Sequence, residues 1–205
     1  MAIGWVTAMN DARTFLAPAH TSAVPSRERV QAAVLENYDF LWRCLRRLGV
    51  AEATVEDALQ KVLMVFVDRL PSVTPGSERA FLFGTAVRVA ADWRKKVARS
   101  REVPWHVEEL TRADAAPNAE AILDQRQARE LLQEALDRMP IDLRVVFVLA
   151  DLEEMTQPSI AALLGVPLGT ASSRLRRARA CFAEIAAEMR ARLAADGCEQ
   201  QGGGR

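Results

Sequence analysis

Histidine, cysteine and tyrosine are nearly missing from this chain of 205 residues, at two, three and one copies. His20 and His106 sit in proline-interrupted stretches with no nucleophile or ligand pattern nearby. No G-x-x-x-x-G-K phosphate loop appears either, so neither catalysis, nor a metal or cofactor, nor a small-molecule substrate is expected. Cys44, Cys181 and Cys198 lie far apart without C-x-x-C spacing. An odd, scattered set points to a reducing compartment rather than a disulfide framework. No apolar run approaches the roughly 18 residues of a membrane span. The first twenty residues lack the basic start and apolar block of a secretory signal. A cytoplasmic protein with no membrane insertion is therefore expected. Aromatics are only 6% of the chain, while half is apolar and mostly Ala, Leu and Val, a composition that favours helices. Excess charge is lacking too, with 27 basic against 27 acidic side chains. Neutrality excludes a constitutive, non-specific DNA coat but leaves room for a local basic surface.

What is present is periodicity. Residues 1–25 hold Pro18, Pro25 and little pattern, and read as a flexible tail. From Ser26, Val34, Tyr38, Leu41, Leu45 and Leu48 recur at helical spacing up to Gly49. Thr54 reads as the cap of a second helix, with Asp57 as capping-box partner. Its stripe is Val55, Leu59, Val62, Phe66 and Leu70, stopped by Pro71. A third helix carries Leu82, Ala86, Val89, Trp93 and Val97 on one side. Residues 26–101 thus read as a three-helix bundle. Residues 102–124, with Pro104 and Pro117, read as a linker. Residues 125–193 hold four further helices, with Leu132, Leu136 and Met139 on the first, which ends at Pro140. Residues 194–205 read as a disordered tail. The expected class is all-α: two small helical domains, an N-terminal bundle and a C-terminal helix-turn-helix bundle, joined by a flexible linker.

The neutral total hides local imbalance. From Arg79 to Arg101 there are seven bases against one acid, and from Glu102 to Glu154 thirteen acids against five bases. GVPLGTASSRLRRARACF, residues 165–182, carries Arg174, Arg176, Arg177 and Arg179 and no acid. On a helical wheel Ala171, Leu175, Ala178 and Phe182 share one side. Ser172, Ser173, Arg176 and Arg177 point away from it, with Arg174 and Arg179 on the flanks. Arginine can take guanine O6 and N7 bidentately and serine fits base or phosphate, so this outward face suits a major groove. The flanking pair suits phosphates. Thr170 reads as the cap of this helix. Upstream, MTQPSIAALLGVPLGT reads as a short helix capped by Thr156, with Pro158 in its first turn and a glycine turn at Gly165. Together these read as a helix-turn-helix with the arginine helix as reader. The bland alternative is a surface helix with solvated arginines.

With these residues in place, LDRMPIDLRVVFVLADLEEMTQPSIAALLGVPLGTASSRLRRARACF resembles the −35-reading domain of bacterial sigma factors, sigma-70 family, extracytoplasmic-function (ECF) type. Arg144, Val146, Phe147, Leu149, Ala161, Leu164, Gly165, Val166, Pro167, Gly169, Thr170, Ser173, Arg174, Leu175, Arg177, Ala178 and Arg179 carry the likeness. ATVEDALQKVLMVFVDRL is similar to the family's polymerase-binding helix through Glu56, Asp57 and Gln60. RAFLFGTAVRVAADWRKK is similar to its −10 helix through Arg79, Ala80, Leu82, Ala86 and Asp92. A short linker with no domain between the blocks marks the ECF type. The chain departs from the family pattern at Lys61, Phe81, Arg88, Ala171, Ser172 and the Pro158-Ser159 pair.

The resemblance implies a promoter-specific initiation subunit with core RNA polymerase, promoter DNA and an anti-sigma factor as partners. It implies −35 contacts from Thr170, Ser172, Ser173, Arg174, Arg176, Arg177 and Arg179. It implies −10 contacts from Arg79, Phe81, Arg88, Lys95, Lys96 and Arg99, with the loop 71–80 capturing a flipped base and Phe81 or Phe83 as stacking candidates. Glu56, Asp57, Gln60, Lys61 and Met64 would dock on the clamp helices of the polymerase largest subunit. Two other readings stay open on the residues: a one-component regulator with residues 26–101 as a sensor or dimerisation bundle, and an adaptor or decoy that occupies polymerase without initiating.

Overall fold

In a computed structural model, the described residues are 27–100 and 119–202, with side chains described over 27–97 and 126–194. The remaining tail, linker and terminal expectations, with His20, His106 and the side chains of Arg99 and Cys198, lie outside them. Among the described residues every regular element is helical. They are α1 (Arg27–Arg47), α2 (Glu52–Arg69), a 3-10 turn (Leu70–Ser72) and α3 (Glu78–Ser100) in the first block. The second block has α4 (Ala119–Arg138), α5 (Ile141–Phe147), a π-type turn (Val148–Leu152), α6 (Gln157–Leu164) and α7 (Leu168–Gly202).

The first three helices pack pairwise into a bundle. Leu41, Leu45 and Leu48 of the first stripe are fully enclosed, as are Val62 and Phe66 of the second. Each such side chain contributes about 1.5–3 kcal/mol by leaving water. Phe40 meets Phe83 at 5.7 Å between ring centres, and Phe66 meets Phe81 at 6.1 Å. In the second block α7 forms the spine against which α4, α5 and α6 lie. Phe147 and Phe182 stack there at 4.5 Å.

Several expectations change. Tyr38 and Val97 are exposed rather than part of their stripes. Helix α2 begins at Glu52, so Thr54 lies inside its first turn; its hydroxyl bonds the Ala51 carbonyl and caps nothing. Helix α4 begins at Ala119, inside the stretch expected as linker, and α7 runs on as helix to Gly202, well into the expected tail.

The two blocks touch. Helix α3 packs on α6. Glu153, its side chain only 6% exposed, accepts from Arg43 (Nε 3.0 Å, Nη2 2.8 Å) and from Arg47. Gly49, at φ +97°, lies where a Cβ would come within 3.0 Å of Asp137 Oδ1 and 3.1 Å of Arg144 Nη1. Its backbone conformation favours glycine, and a Cβ there would press on the ends of the Asp137 and Arg144 side chains.

Candidate nucleic-acid interface

The turn that aims the reader helix is built as its residues dictate. Thr156 caps α6, its hydroxyl accepting from the Ser159 N–H at 3.4 Å, and Pro158 sits in the first turn. Gly165 ends the helix in the left-handed region, φ +62°, a conformation that costs other residues a clash between Cβ and the following carbonyl. Val166 N–H returns to the Ala161 carbonyl at 3.0 Å. The chain then enters α7 at Leu168. Thr170 is already within that helix, its N–H bonded to the Pro167 carbonyl, so it is not the cap.

Along α7, Ala171, Leu175 and Ala178 are buried against the block, with Phe182 half-buried on Phe147. Arg176 and Arg177 are exposed on the opposite side. Ser172 and Ser173 are half-buried: Ser172 donates to Gln157 of α6, and Ser173 to the Thr170 carbonyl at 3.0 Å. Arg174 is half-buried too. Arg179 is exposed and holds Asp151 with Nη2 at 2.7 Å and Nε at 3.1 Å. The hydrogen bond to Asp151, then its charge, raises the guanidinium pKa. The outward pair thus stands on a ridge, and the flanking Arg179 is pre-oriented by a carboxylate from the π-type turn. Nothing in the reader helix's own spacing pointed to Asp151 or Gln157.

On α3, Arg79, Lys95 and Lys96 are exposed. Arg79 lies over the Phe40 ring at 4.3 Å, and Lys96 over Trp93 at 5.8 Å. Arg88 is half-buried, donating to the Thr85 hydroxyl at 3.2 Å, and burial lowers its pKa. Phe83 is wholly enclosed and belongs to the core, not to a base-stacking surface. Phe81 is half-buried against Phe66. Arg79 near the head of α3, and Lys95 and Lys96 near its far end, are thus open to solvent, while the rings of Phe81 and Phe83 turn inward.

On α2, Asp57, Gln60, Lys61 and Met64 are exposed together, Met64 at 65%. Leu35 (72%) and Val67 (43%) are further exposed apolar side chains of the first block. Glu56 is also exposed, but its carboxylate already accepts from Tyr38 Oη at 2.8 Å and Trp42 Nε1 at 2.9 Å. Burial pushes the Cys44 thiol pKa up, so it stays protonated inside the bundle. No group of three metal-ligating side chains occurs among the described residues, and none of their helices is long and apolar enough to cross a membrane.

Comparison with known proteins agrees with this geometry. Residues 129–182 match the family model described as "Sigma-70, region 4". The ECF RNA polymerase sigma factor SigE of Mycolicibacterium smegmatis is 29% identical over 167 residues, covering 80% of this chain. The chain spans 63% of that protein's length, under two thirds. Among solved structures, CnrH in complex with the cytosolic domain of CnrY superposes with TM-score 0.55 at 20% identity, covering 88% of this chain and 95% of that one. The sigma factor RpoE, in complex with the anti-sigma factor NepR from Bartonella quintana, gives 0.52 at 20% identity, covering 76% and 94%. These two likenesses speak for the fold. Together with the capped helix-turn-helix and the arginine ridge, the matched segment assigns residues 129–182 to sigma-70 region 4, and over most of its length the chain is similar to extracytoplasmic-function sigma factors.

Proposed function

We propose that this chain is an exchangeable initiation subunit that binds core RNA polymerase and directs it to promoters, reading −35 with α7 and −10 with α3. The observation that carries this is the pair Arg176 and Arg177, held outward on α7 directly after a capped helix and a left-handed glycine. A reader helix of that form enters a major groove with its N-terminal residues on base edges. The exposed cations of α3, Arg79 near its head and Lys95 and Lys96 near its far end, support a second contact on the separated −10 strand, to which Arg88 and Arg99 would add. The loop 71–80 takes up an unpaired base there. The exposed face of α2 with Asp57, Gln60, Lys61 and Met64 supports docking on polymerase helices, Glu56 standing at its edge. The chain supplies address and strand opening in the cytoplasm, and the bond-making chemistry belongs to the polymerase. An anti-sigma factor is a further partner in this reading.

Run-off transcription tests it. The full chain added to core polymerase is expected to yield transcripts from a specific subset of promoters, while the chain alone binds DNA weakly. Tight promoter-specific binding by the isolated chain, with no transcript on adding polymerase, overturns the proposal in favour of a free-standing regulator.

A further inference from the structure

One arginine ties the segment between α2 and α3 to the start of the molecule's first helix. Arg29, in the first turn of α1, donates from Nη2 to the Val73 carbonyl at 2.6 Å and from Nε to Glu78 Oε1 at 2.8 Å. The two side chains are only 28% and 17% exposed, so this pair is better shielded than an ordinary surface ion pair. The Glu78 carboxylate, at the head of α3, also accepts its own backbone N–H and that of Gly76. Burial pushes the Glu78 carboxyl pKa up, but those N–H groups and Arg29 outweigh it and hold it below its ordinary value. It is therefore ionised at neutral pH.

The two points that this node grips, Val73 and Gly76, flank the exposed tip Thr74-Pro75. Val73 is buried, whereas Thr74, Pro75 and Gly76 are exposed. Gly76 adopts φ +88°, and a Cβ there would meet nothing within 4 Å. The Ser77 N–H closes the turn on the Thr74 carbonyl at 3.0 Å. The result is a short projecting loop with both feet fastened to one guanidinium–carboxylate pair, whose Arg29 lies 44 residues before Val73 and 49 before its partner Glu78. A loop free to wander would have to be ordered when a ligand enters it, and that entropy would be lost from recognition.

We propose that Arg29 is a positioning residue for promoter opening: it holds residues 71–77 in the shape that takes up one unpaired −10 base, without touching DNA itself. This rests on the reading of the chain as a promoter-directing subunit and of the loop as a base contact. The bland account is a structural pair that fastens a surface loop with no bearing on DNA.

The test uses the holoenzyme, core polymerase with the full chain, on promoters carrying each of the four bases at every −10 position in turn. Permanganate reactivity reports strand opening, and competitor DNA bearing only the −35 element reports the second block. Arg29→Ala is expected to reduce discrimination at one −10 position by about tenfold, as a small misplacement can, with −35 competition unchanged. Arg29→Lys, which keeps a charge and a donor, is expected to restore part of it. Thr74→Ala, at the tip, is expected to affect the same position. If Arg29→Ala does not fold, Glu78→Gln is expected to give the same selective loss. Should Arg29→Ala keep full discrimination while Thr74→Ala loses it, the positioning role is wrong and the loop reading stands. A wild-type holoenzyme that initiates without discriminating at any −10 position removes the loop reading and Arg29's role with it.

Discussion

Arg177 and Arg179, two residues apart, do not stand in equivalent surroundings. Arg177 is exposed on the ridge, whereas Arg179 is held by Asp151 at the flank. Arg177→Ala is expected to cost about 1–3 kcal/mol of promoter binding and to relax the preference at one −35 position. Arg179→Ala should instead weaken binding evenly over sequences and lower the salt slope by about one. Holoenzyme binding to a set of −35 variants at several salt concentrations separates the two, and equal effects on every variant contradict the division of roles. The outward set was legible from sequence because one helix fixes its own angular order. What each member bonds to was not: Gln157 for Ser172 and Asp151 for Arg179 come from other elements, 15 and 28 residues away. Sequence favoured core packing for at least one of Phe81 and Phe83 but could not say which, and the structure encloses Phe83.

At the scale of elements, the joint between α4 and α5 is held by a charge with no water around it. The Arg144 side chain is wholly enclosed, while its partner Asp137, 2.7 Å away, is 49% exposed. Burial, then the nearby charge of Arg94, lowers the Arg144 pKa to about 10 against the pull of Asp137. It is still protonated at neutral pH. A base held below its ordinary value opposes folding while charged, so this residue's contribution improves as pH rises through about 10 towards the ordinary guanidinium value. Asp137→Ala, which leaves the enclosed guanidinium without its carboxylate, is expected to cost about 3–5 kcal/mol, whereas Arg144→Met should cost little or stabilise. Urea unfolding with unchanged m-values checks both. Helix identity and most stripes were readable here, and so were the Thr156 cap and the Gly165 stop, because both sit next to an unambiguous breaker. Thr54 and Thr170 were misassigned as caps because each helix starts two residues earlier than its threonine, and no side chain at Ala51 or Pro167 announces a start.

At the scale of the molecule, the blocks meet through Glu153, buried between Arg43 and Arg47, and through α3 against α6. Glu153→Gln removes a carboxylate from between two cations. The variant is expected to have a larger radius of gyration by small-angle scattering than the parent. The parent should show part of that expansion at high salt, since the pair's exposed members are screened. An unchanged radius in the variant means that the apolar contact alone closes the joint. None of this was legible in the sequence: block boundaries follow from periodicity, but a contact across 106 or more residues leaves no trace in spacing. The length of α7 has a mechanical consequence. Leu168 to Gly202 is one uninterrupted rod of 35 residues, about 52 Å end to end, clasped to α4 by Glu188 with Arg138 and by Arg192 with Glu134. A stiff shaft cannot twist at one end alone, so whatever grips the handle near Arg192 also sets the compass bearing of Arg177.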